Sequence, residues 1–144
     1  MILSAQQLFS EAQAITATAL STNVLDLGAA GTPYGGKAAL NHDIGKGAKI
    51  PVLVQVVTDF ATLTSLTITV ETGAVAGTLG TVLATETILA ADLVAGKQMN
   101  MQVLPDGAVG RYLGVRYTVN GSNATAGAIT AGISMGNQTN VHGA

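Results

Sequence analysis

The chain has no cysteine and no tryptophan, and aromatic residues make up only 3% of its 144 positions. Proline occurs three times, histidine twice, and charged residues reach only 10%, against about 25% in ordinary globular domains. Each scarcity excludes something. Without cysteine there is neither a disulfide framework nor a thiolate metal site, which suits folding in a reducing cytoplasm. Six cationic side chains against eight acidic ones leave a net charge of −2. That is too little positive charge to build a phosphate-binding face, so no nucleic-acid partner is expected. No apolar run approaches the about 20 residues that span a bilayer, so no membrane partner is expected either. The segment Met1–Glu11 has no basic region and no continuous apolar core, and no signal peptide is expected there.

What is present is apolar and small. Hydrophobic residues make up 48% of the chain and glycine contributes 18 positions. A charge-poor chain of this hydrophobicity collapses rather than staying disordered. Its length fits one domain, residues 1–144, with a core of its own. The surface must then be tiled with Thr, Ser, Asn, Gln, Ala and Gly. Such a surface is poorly protected against association, and other subunits are expected to cover part of it.

The clearest periodicity lies in Arg111–Val119. Leu113, Val115, Tyr117 and Val119 point one way while Tyr112, Gly114, Arg116 and Thr118 point the other, the period-2 pattern of a half-buried strand. A Leu104–Gly107 turn precedes it, and Asn120–Asn123 reads as a second turn leading into a strand over Gly127–Ser134. Further strands are read over 13–19, 22–27, 50–57, 65–72, 79–89 and 97–103. Ile50–Val57 is apolar except for Gln55 and reads as a buried central strand, with Pro51 at its start, where a missing N–H costs little. Residues 1–11 read as a short helix or an arm, 90–96 as a loop or one helical turn, and 137–144 as a flexible polar tail. Gly28–Gly47 is a long glycine-rich loop, beyond the about 12–15 residues usual for structureless connections. About eight strands with regular turn signals and no helix-period segment predict an all-β, jelly-roll-like antiparallel β-sandwich.

No catalytic or cofactor motif survives inspection. Gly31–Ala38 comes within one residue of a phosphate-binding loop, but Ala38 lacks the hydroxyl that holds Mg²⁺ and no long helix follows. Gly132–Gly136 matches G-x-S-x-G, yet no acid follows it and the elbow context is missing. His42-Asp43 would need further ligands to hold a metal, and the only other histidine is His142. The acidic residues show no paired acid–base pattern. No enzyme activity, cofactor, metal or small-molecule ligand is therefore expected.

Several segments, in order, resemble the small cement (decoration) proteins of tailed-bacteriophage capsids, of the Bordetella phage type. They are Gln13–Ala19, Ser21–Gly28, Asp43–Gly47, Pro51–Val56, Leu104-Pro105 through Arg111-Tyr112-Leu113, and Thr125–Gly132. Ala30–His42 departs from the pattern, being longer than the family's connection at that point. The resemblance implies a structural virion protein on the capsid exterior, made in the bacterial host cytoplasm. Its implied partners are the major capsid protein and further copies of itself, and it has no catalytic residues to carry over. The expected contact residues are those of the N-terminal arm and the long loop: Leu8, Phe9, Pro33, Tyr34, Lys37 and His42. A carbohydrate-binding β-sandwich module is the alternative reading, resting on Tyr34 and Tyr112 as sugar platforms.

Overall fold

The computed structural model describes residues 3–40, 50–101 and 110–134. Every paired segment is antiparallel. The strands are β1 (Leu3–Ala14), β2 (Ala19–Leu20), β3 (Leu25–Asp26), β4 (Val52–Gly73), β5 (Thr81–Leu89), β6 (Gln98–Met101) and β7 (Tyr112–Ser134), with one 3-10 turn at Ala90–Asp92. The all-β antiparallel sandwich expected from the strand pattern is what forms.

Two strands dominate it. β4 and β7 pair along almost their whole lengths, from Val52 opposite Ile133 to Gly73 opposite Tyr112. Two corrections to the sequence reading follow. The strands read over 50–57, from Val52 on, and over 65–72 are parts of one 22-residue strand. Likewise Asn120–Asn123 is not a hairpin turn but lies within the 23-residue β7. Glycine and asparagine there mark a bulge rather than a reversal, because β4 continues past the interruption as a partner for both halves.

Each long strand serves two layers. In the first layer the order runs β1, the C-terminal half of β7, the N-terminal half of β4, then β6. In the second, β2 and β3 flank the N-terminal half of β7, followed by the C-terminal half of β4 and β5. Strands that pass between layers must bend, and bulges supply the bend. The β4–β7 register breaks four times between Val56 and Ser65. The breaks cancel, so Val56 opposite Ile129 and Ser65 opposite Asn120 belong to the same register.

The two halves close on one core. Val54, Val56, Ile129 and Met99 enter it from the first layer, and Leu66, Ile68, Val70, Leu113, Val115 and Tyr117 from the second. Strict alternation in 65–70 and 113–119 produces this inward face, and each such side chain gains about 1.5–3 kcal/mol from burial. Phe60, Leu63 and Ala124 plug the corner. Gly127 sits against Phe60 with φ +141°, and a Cβ there would lie 2.3 Å from the ring.

A polar chain, buried at Tyr117 and Ser10, also joins the layers. The Tyr117 hydroxyl lies 2.8 Å from Ser10 Oγ, which donates to Gln13 Oε1 at 2.7 Å. Gln13 completes its set by accepting from the Thr22 N–H at 2.9 Å and donating to the Leu20 carbonyl at 2.9 Å. Every member has a partner, so the chain avoids the cost of an orphaned buried dipole. Burial pushes the Tyr117 hydroxyl well above its ordinary pKa of 10.0, and the bond to Ser10 only partly offsets this.

The N-terminal segment, read as a helix or an arm, forms edge strand β1. Its pairing is irregular: Leu3 faces Ser134 and Leu8 faces Gly132, so residues 4–7 stand opposite the single residue Ile133. The strands read over 13–19 and 22–27 shrink to the end of β1 and the two-residue rungs β2 and β3. The Leu104–Gly107 turn, residues 102–103 of the strand read over 97–103, residues 41–47 of the long loop and the 137–144 tail lie outside the described residues.

Two outcomes test this account. Gly127→Ala should lower stability by about 2–4 kcal/mol, through strain and a displaced ring. Gly77→Ala, with open space around it, should stay within about 0.5 kcal/mol in the same urea titration. At high pH the unfolded chain releases the Tyr117 proton near pH 10 while the folded chain retains it. Stability from this group is therefore complete below pH 10 and declines as pH rises above it. Denaturation midpoints between pH 9 and 12 should fall less steeply in Tyr117→Phe, and an unchanged slope would refute the assignment.

Candidate interaction surface

The long loop leaves the sandwich through a charged anchor. Asp26 on β3 takes two bonds from Arg111, from Nε at 2.8 Å and Nη2 at 2.7 Å. The Arg111 guanidinium also lies 5.0 Å from the Tyr112 ring centroid, within cation–π reach. Asp26 Oδ1 further accepts the N–H of Gly28, whose φ of +98° turns the chain outward. The Arg111 hydrogen bonds, followed by that of Gly28, hold the Asp26 carboxyl down to about 2.

Beyond the anchor, residues 31–40 make a small ribbon of their own. Gly31 and Leu40 exchange backbone bonds at 3.1 and 2.8 Å. The tip is a turn over Pro33–Gly36, closed by the Gly36 N–H on the Pro33 carbonyl at 2.8 Å. Gly35 takes φ +77° at the third turn position, where a side chain would be strained. Every residue from Gly31 to Leu40 is exposed. Tyr34 at the tip is fully so at 109%, and Leu40 is 61% exposed. Proline before the tip and the paired base reduce the ordering cost of binding, so the aromatic is presented in a held geometry.

The sequence-predicted contacts divide accordingly. Pro33, Tyr34 and Lys37 come together on this ribbon. His42 lies outside the described residues. Leu8 is half-buried on β1, beside a shallow groove that also involves Ala5, Glu11 and Asn23. Phe9 is a correction: it is 0% exposed and belongs to the core, so it offers no surface to a partner. A break in alternation explains it, since β1 bulges between Leu8 and Ser10 and both Phe9 and Ser10 are turned inward. The sequence reading missed Leu40 and the Asp26–Arg111 anchor, whose partners lie 85 residues apart. It also missed Val75, Val82, Leu89 and Val94, apolar side chains at least half exposed on and around β5.

The near-motifs sit in unsuitable places. Gly31–Ala38 lies within the ribbon, while Ser134 is a 1% exposed residue at the end of β7. Among the described residues, no three of His, Cys, Asp and Glu come together as a metal site. No described helix is long and apolar enough to cross a membrane. Arg116 is also occupied, with Nε 2.9 and 3.0 Å from the two oxygens of buried Glu71.

The architecture is an antiparallel β-sandwich that projects one aromatic-tipped ribbon. The Bbp16 family model matches residues 9–133, nearly the whole sandwich, and the chain belongs to that family, which carries the name of a Bordetella phage protein. No curated protein matches the chain.

The anchor has a measurable signature. The Asp26 carboxyl should titrate near 2 by carbon-13 NMR and return toward 3.8 in Arg111→Ala. Because the folded value is depressed, the ion pair holds above the ordinary carboxylate range and is lost as pH falls through about 2. A midpoint near 3.8 in the unmodified protein would show that the pair does not form.

Proposed function

We propose that this chain is a structural component of a phage virion. It binds the outer surface of the assembled capsid and braces neighbouring capsomers, without catalysis. The observation that carries the reading is membership of a phage family in a sandwich whose most exposed aromatic stands on a held, projecting ribbon. The partners are the major capsid protein and further copies of the chain. Tyr34, Pro33 and Leu40 supply apolar contact area, with Lys37 beside them. Around such anchors, a surface of hydroxyl and amide groups suits close protein packing with hydrogen bonds at the contacts. Each contact is modest, and repetition over many sites on one particle supplies the strength.

A sugar-binding module would also use an exposed ring such as Tyr34, and binding to a glycan array abolished by Tyr34→Ala would favour it. The capsid reading predicts co-sedimentation with intact or emptied phage heads. Deleting residues 30–42 should weaken that association by about tenfold or more, as expected when a central aromatic anchor is lost. The melting temperature should move little, because the described ribbon residues make their backbone bonds within the ribbon. Unchanged binding would remove the ribbon from the interface, and no co-sedimentation of the intact protein would remove the function.

A further inference from the structure

The second layer ends in edge strand β5, which is blunted by a register slip between Val82 and Ala84 and by the charge of Glu86 but is otherwise open. β5 pairs with β4 on one side, and no other described strand pairs with it. Its register is regular from Ala84 to Leu89. It contains no lysine or proline, the residues that commonly blunt such edges. Val82 and Leu89 are 54% and 61% exposed along it. In the first layer β6 is likewise paired only with β4. Between these two edges opens a groove of about 450 Å³. Ile88 and Met99 form its apolar floor, being 7% and 4% exposed. Glu86, Asp92 and Lys97 line it as well, and among the described residues none of the three is in an ion pair.

We propose that this groove receives an extended segment of a partner protein as an added strand on β5. An apolar side chain of that segment sits over Ile88 and Met99, and a basic one faces Glu86 and Asp92. Three features select this occupant. The outward backbone N–H and C=O groups of β5 present a ladder that an added strand matches in spacing and direction. The floor is apolar and narrow, which suits one alternate side chain of such a strand. The lining carries two carboxylates and one ammonium, so the complement is cationic. A second β5 is the poorer fit, because a two-fold pairing of the same edge would bring the acidic lining of one copy toward that of the other.

The inference rests on the capsid reading, which supplies the partner. The test is hydrogen exchange on the full chain, free and bound to emptied phage heads. The amides of Ala84–Leu89 should exchange at least tenfold more slowly when bound. The double variant Glu86→Lys, Asp92→Lys should bind heads at least tenfold more weakly, with an unchanged circular dichroism spectrum and melting temperature. If that variant does not fold, the exchange measurement on the unmodified protein still decides. Binding without protection of β5, or full binding by the charge-reversed variant, overturns this inference and leaves the capsid reading standing. Protection that appears in the free protein and grows with its concentration assigns the edge to a second copy and also overturns it. No binding to heads overturns both.

Discussion

The pairing of β4 with β7 through a bulged corner is the constraint on which the rest of the molecule depends. Both layers hang from these two strands, and every other described strand pairs with one of them. The bend is held at Thr62, a β-branched residue at φ +76°, which such a side chain rarely adopts. Its hydroxyl accepts the Thr125 N–H at 3.1 Å and lies 2.7 Å from the Asn123 carbonyl. Those bonds tie the bulge of β4 to the bulge of β7, and they offset strain that would otherwise open the corner. Compensating register breaks then let the two layers share one pairing scheme, so neither layer can slip without the other.

Charged groups are few, and several of them are engaged with one another. Arg116 and Glu71 lock the second layer, with Thr69 Oγ1 donating to Glu71 Oε1 at 2.9 Å. Arg111 and Asp26 fasten β3 and the root of the ribbon. Tyr117, Ser10 and Gln13 connect one layer to the other. With both arginines engaged in this way, the outer face of the second layer is left to hydroxyls and amides such as Thr67, Thr87 and Asn120, which bond to one another. That face has little charge repulsion to keep proteins apart.

Much of the architecture was legible in the chain. The alternations Leu66, Ile68, Val70 and Leu113, Val115, Tyr117 place those residues inward, and all six are essentially unexposed. Met99 and Met101 were legible as core for the same reason. Legibility failed where one residue type has two uses. Gly121 with its asparagine neighbours reads as a turn, but the same positive φ of +87° serves a bulge when a partner strand runs past it. Phe9 reads as an exposed anchor because the local irregularity of β1 hides its parity. In the ribbon, composition pointed to Pro33, Tyr34 and Lys37, whereas Leu40 acquires its place only through its bridge to Gly31.

The sequence alone therefore determined the class of fold and the inward faces of the regular strands. Those properties follow from composition and period-2 patterning, which act over a few residues. Only the tertiary structure decided that four apparent strands are two, that they turn a corner together, and that Asp26 meets Arg111. Those outcomes depend on which distant segment a strand finds as its partner, and no local pattern encodes that choice.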